Sequence, residues 1–138
     1  MANKIVINDG YKTYDIENQD GKLLGQFSFN PSDTNIVKRH SEVVEHLEKL
    51  EIPDNGTDLV DALQSVEKVI YEEINYLLDS DVAETFFSIM GPLSPLANGQ
   101  FFIESVMDAI GQAIQMETGE RVKKINGKIK KHTSKYHG

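Results

Sequence analysis

The chain contains no cysteine, which removes disulfides and thiolate metal sites from consideration. Long hydrophobic runs are missing too. No stretch approaches the roughly 18 apolar residues that a bilayer crossing needs, and the first residues, Met1-Ala2-Asn3-Lys4-Ile5-Val6-Ile7-Asn8-Asp9, lack the apolar core of a signal peptide. A soluble protein of the cytoplasm, with no membrane partner, is expected. No glycine-rich phosphate loop exists, because Gly91 and Gly99 flank prolines instead of joining a strand to a helix. The serines are scattered and form no nucleophile elbow. His40 and His46 are six apart, which is no same-face ligand spacing, and Glu42 with His46 reads as a solvated helix pair. Asp54-Asn55-Gly56-Thr57-Asp58 lacks the glycine and the bidentate acid of a calcium loop. Glu67, Glu72 and Glu73 read as the wet face of a helix. Catalysis, metal, cofactor and small-molecule substrate are therefore all unexpected.

What is present is one domain's worth of chain. The 138 residues are 39% hydrophobic, enough to bury a core. Net charge is −8, but its distribution is uneven. All 22 acidic residues lie in 1–120 beside seven basic ones, a net of −15, whereas 121–138 carry Arg121, Lys123, Lys124, Lys128, Lys130, Lys131 and Lys135 with no acid, +7. An acidic body repels phosphate, so nucleic acid is not its expected partner. The basic tail has three candidate targets: the body itself, an acidic partner, or nucleic acid.

The first 30 residues read as a small β element. Ile5, Ile7, Tyr11, Tyr14 and Ile16 are strand formers, Asn8-Asp9-Gly10 is a turn signal between two short strands, and Gln19-Asp20-Gly21 is a second turn before a strand over Leu24–Phe29. So few strands need helices to pack on. Residues 31–120 read as helical. Asn30-Pro31-Ser32-Asp33-Thr34 starts a helix that carries Ile36, Val37, Val43, Val44, Leu47 and Leu50 inward, and Pro53-Asp54-Asn55-Gly56 breaks it. Thr57 is placed to cap a helix of about twenty residues with an apolar face from Leu59 to Leu78. Asp81 and Glu84 resemble a capping box, and Asn98 is placed to cap a last long helix ending at Thr118-Gly119. Val122, Ile125 and Ile129 then keep a helical spacing, so 121–138 is expected to be partly helical or frayed. The expected fold is α+β, predominantly helical, with a short N-terminal β-hairpin element packed on about four helices.

The stretch Asp81–Ile114 organises the chain. Four of the six phenylalanines occur there, as Phe86-Phe87 and Phe101-Phe102, around a loop with two prolines. A helix cannot bury both members of such a pair on one narrow stripe. One member of each pair must sit near the stripe's edge or meet a second surface. Core packing is the simpler reading; the sharper one is an aromatic docking surface. Phe86, Phe87, Ile89, Met90, Leu93, Leu96, Phe101 and Phe102 are its candidate residues.

The order of features resembles the tail assembly chaperones of long-tailed bacteriophages and prophages. The matching parts are the hairpin Gly21-Lys22-Leu23-Leu24-Gly25-Gln26-Phe27-Ser28-Phe29, the helix start Asn30-Pro31-Ser32-Asp33-Thr34, and a charged helix followed by a long one. Then come Val82-Ala83-Glu84-Thr85-Phe86-Phe87, a proline-containing loop, and Gly99-Gln100-Phe101-Phe102-Ile103-Glu104 opening the last helix. The similarity covers roughly residues 12–115. It implies a helical, cytosolic, non-catalytic protein that binds the tape measure protein before the tail tube polymerises, with the tail tube protein as a second partner. The family also implies a frameshifted longer product. Helix-in-groove binding would use the eight apolar residues above, with Met90 and Met107 as adaptable surface.

Two other functions fit the same sequence. One is a structural minor tail or connector protein, retained in finished particles. The other is a small regulator that touches nucleic acid through its basic tail. The tail is also expected to dock on its own acidic body or to bridge a second copy into a homo-oligomer. A chain truncated after Gly119 should still fold.

Overall fold

The computed structural model describes residues 2–53, 58–125 and 130–132, with Pro53 and 130–132 described by backbone alone. The expectations placed on residues 54–57, on Gly127, Lys128 and Ile129, and on Lys135 and His137 lie outside the described residues. The architecture is α+β and mainly helical: an N-terminal hairpin packs on helices α1 (Thr34–Glu48), α2 (Leu59–Leu78), α3 (Ala83–Phe87) and α4 (Phe102–Thr118).

Strands β1 (Lys12–Glu17) and β2 (Leu23–Phe29) pair antiparallel, with Lys12 opposite Phe29 and Tyr14 opposite Phe27, and the register slips between Ile16 and Glu17. The connecting turn is tied by the Asn18 carboxamide, which accepts from the Asp20 and Lys22 amides. Alternation puts Tyr14, Ile16, Phe27 and Phe29 on the face that meets the helices. The turn expected between two strands at Asn8-Asp9-Gly10 is replaced by local side-chain bonds, the oxygens of Asn8 and Asp9 accepting from the Gly10 and Tyr11 amides. No strand precedes it, because Ile5 and Ile7 find no partner strand among the described residues.

Helix α1 starts where Asp33 accepts from the Asn35 amide, and it stops at Glu48, short of Leu50. Glu51–Pro53 instead forms β3, which pairs parallel with β4 (Lys130–His132). That pair spans almost eighty residues of sequence, and no local pattern announces it. Helix α2 has the expected twenty residues, capped by Asp58 through the Val60 amide. Ile70, Ile74 and Leu77 are fully buried on its inner face, and Ile103, Met107 and Ile114 of α4 are likewise buried. The seam between α1 and α2 is polar as well as apolar. Tyr76 donates to Glu42 at 2.8 Å, and His46 Nδ1 meets Glu73 Oε1 at 2.7 Å. His46 therefore pairs across helices and not with Glu42, and Glu73 lies in the seam instead of on a wet face.

Two caps differ from those read in the sequence. Asp81 does not cap α3. The Asn75 carboxamide of α2 does, accepting from the Val82 and Ala83 amides at 2.9 and 2.8 Å, while its nitrogen donates to Asp81 at 3.2 Å. Nor does Asn98 cap α4, since it accepts from the nearby Gln100 amide. The first α4 amide bond is supplied by Glu104, whose Oε1 accepts from Phe101 N–H at 2.9 Å. In both places a tertiary or backward-reaching acceptor wins over the residue in the usual cap position.

Asn75 thus holds the end of one helix to the start of the next. Asn75→Ala should lower stability by about 1–2 kcal/mol, the cost of losing a cap. Chemical denaturation should show this as a lower midpoint with an unchanged slope.

Candidate functional site

The two phenylalanine pairs are used differently. Both Phe86 and Phe87 are buried, because α3 lies between two surfaces. Phe86 faces the hairpin, with its ring centroid 4.8 Å from that of Phe27, and Phe87 faces α2, 4.9 Å from Tyr71. Phe101 and Phe102 are half-buried, and Phe102 meets Phe87 edge-on at 6.2 Å. Leu93 is buried beneath the loop; Ile89 and Leu96 are half-buried, and Met90 is 39% exposed.

Five of the eight candidate residues line one apolar hollow of about 370 Å³: Phe86, Ile89, Met90, Leu96 and Phe102. Phe87, Leu93 and Phe101 have no share in its lining. Sequence reasoning missed the opposite walls. Ile16 and Leu24 come from the hairpin, and Ser105, Val106 and Ala109 from α4. The small residues Ala109 and Ala113, one helical turn apart, were the legible signal that α4 leaves room there. The hollow continues along α4 as a shallower cleft past Tyr14 and Ala113 to Met116, with Ala109 lining it at every stage. Lys12 closes its far end by pairing with Glu117.

The polar rim of this cleft is formed by Lys12, Asp15, Glu17, Asn18, Gln19, Gln112 and Glu117. Burial, then the Glu117 carboxylate, raises the Tyr14 phenol above its ordinary range, so it stays neutral. Among the described residues no group of three or more metal-ligating side chains converges. His40, on the other side of α4, is buried with Nε2 3.3 Å from the Met107 carbonyl and no partner at Nδ1. Burial holds its pKa below the ordinary value, against smaller opposing effects of the Met107 carbonyl and Asp108.

Of the basic residues, Arg121, Lys123 and Lys124 are exposed. Lys123 Nζ lies 3.5 Å from Glu45 and 3.9 Å from Glu48 of α1. Residues 120–125 form neither helix nor strand, yet Val122 and Ile125 pack against the core. The apolar seam expected of a helix is thus made here by non-helical chain. Val122 sits so close to α4 that a Cβ on Gly111 would come within 2.7 Å of it and 3.2 Å of His40 Nε2. No helix among the described residues is long and apolar enough to cross a membrane.

No protein-family model matches this chain, and neither does any curated protein or solved structure.

Two predictions test this geometry. Phe87→Ser should cost about 3–5 kcal/mol, as for a core phenylalanine, whereas Met90→Ser should stay within about 0.5 kcal/mol. Thermal melts of the two variants separate wall from core. The second concerns His40. Its folded pKa lies below the ordinary value of 6.5, so on acidification the unfolded chain takes up the proton first. Stability should therefore be whole above about pH 6.5 and fall as pH drops from there toward the folded pKa. His40→Gln, whose amide can still donate to Met107, should flatten that part of the denaturation-versus-pH curve.

Proposed function

We propose that this chain is a tail assembly chaperone of a long-tailed bacteriophage or prophage. In this reading it acts in the host cytoplasm, binds the tape measure protein and supports assembly of the tail tube, with the tail tube protein as a second partner. The observation that carries the reading is the apolar hollow of Ile89, Met90, Leu96 and Phe102, open at the surface of an acidic body. An amphipathic helix laid along α4 would place anchors at helical spacing into it. Met90 supplies an adaptable contact, useful for a long partner whose sequence varies along its length. The acidic body keeps an aggregation-prone helical rod in solution while it is covered. The order of hairpin, two helices, Phe-Phe turn and final helix supports the same family.

This reading predicts a gene for a long helical protein beside this one, and the test is coexpression with its product. The two should copurify. Met90→Ser and Leu96→Ser should weaken capture at least tenfold while keeping the wild-type melting temperature. The chain should be absent from finished tails; its retention there would replace the chaperone by a structural component.

A further inference from the structure

The segment Lys4–Ile7 lies outside every helix and strand, and its main chain makes no hydrogen bond with a described residue. It nevertheless carries three consecutive β-branched aliphatic residues, Ile5, Val6 and Ile7, at 87, 93 and 76% exposure. Such a run is a strand without a partner. The same molecule holds an edge without a strand. Among the described residues β1 pairs only with β2, and its residues line the α4 cleft on both alternations, Tyr14 and Ile16 together with Thr13 and Asp15. Phe27 and Phe29 of β2 line the same cleft from the inner face, and a strand that also lines it with consecutive residues presents its edge there as well.

We propose that Lys4–Ile7 of one copy adds as an edge strand to β1 of a second copy, seated in the cleft between β1 and α4. Ile5 and Ile7 point to the same side and in this register cover Ala109 and Ala113, beside Tyr14 and Ile16. Lys4 and Val6 then share the outer face with Thr13, Asp15 and Glu17. The charges match: residues 2–8 carry Lys4 and no acid, and the outer face of β1 carries Asp15 and Glu17. The edge is reached from another molecule. Asn30 donates to the Asp9 carbonyl, and Gly10 is pressed so close to Ser32 and Asn30 that a Cβ would come within 2.5 and 2.8 Å of them. The loop before β1 is held against the residues that follow β2, away from the free edge. Exchange between two copies is reciprocal, which closes a dimer and leaves no arm exposed. Ala109 and Ile16 border the hollow of Met90 and Phe102 as well, but the pairing rests on the free arm and the edge of β1 and does not depend on the tape measure reading.

The absence of native cysteine and tryptophan makes the test direct. Light scattering should give twice the chain mass for the full chain. Ile5→Asp/Ile7→Asp, which alters only exposed residues, and Ala109→Trp, which fills the cleft from an exposed helix position, should each halve it without shifting the melting temperature. Mixed V6C and T13C copies should form the mixed disulfide well beyond the twofold excess over each homodisulfide that random pairing gives. A full chain that stays monomeric into the millimolar range overturns the proposal. So does a dimer that both variants leave intact, or a mixed disulfide no more abundant than random pairing gives.

Discussion

The contact of Phe86 with Phe27 is the joint on which the architecture depends. A two-stranded hairpin is marginal alone in water, and a five-residue helix is far too short to be stable in isolation. Each becomes stable by covering the other. Phe27 stacks on Tyr14 and Phe29 at 5.9 and 5.5 Å, so the contact recruits the hairpin's whole inner face. On the far side Phe87 carries the same contact into α2 and α4 through Tyr71 and Phe102. Pairs of this kind contribute about 0.5–1.5 kcal/mol each beyond the area they bury. The larger effect is geometric, since α3 becomes a wedge that fixes how far the hairpin stands from α4. That distance is the width of the cleft.

Polar groups do a second job, that of fixing chain ends. The α3 amides are held by Asn75 from another helix, and the α4 start is held by Glu104 reaching backward. Gly111 leaves room for Val122, so the chain after α4 returns across His40. Lys123 then meets Glu45 and Glu48 at the surface, where ion pairs contribute little and are screened by salt. The return of this segment is held chiefly by Val122 and Ile125, with charge as a guide.

Function follows from which apolar surfaces remain open. Most large side chains of the Phe-Phe region are consumed by the joint. What is left, Met90, Leu96, Ile89 and Phe102, borders a hollow whose rim is formed by Glu17, Asn18 and Gln19. Under the proposed function this surface takes an amphipathic helix of a partner protein. The N-terminal arm and the edge of β1 are a second unfinished surface, chemically distinct because its currency is main-chain hydrogen bonds.

Periodicity and breakers were enough for the hairpin, the long helices and the stop at Gly119, because those depend on contacts within a few residues. The same local chemistry placed the docking candidates in one neighbourhood, and five of the eight do share a hollow. It could not say that Phe86 and Phe87 would both be buried. That required α3 to lie between two partners brought from residues 27 and 71. Nor did it show the caps from Asn75 and Glu104, the parallel pairing of residues 51–53 with 130–132, or the non-helical seam of Val122 and Ile125. Each of these is a contact between segments distant in sequence, or a competition between acceptors, whose outcome depends on what the folded chain carries within reach.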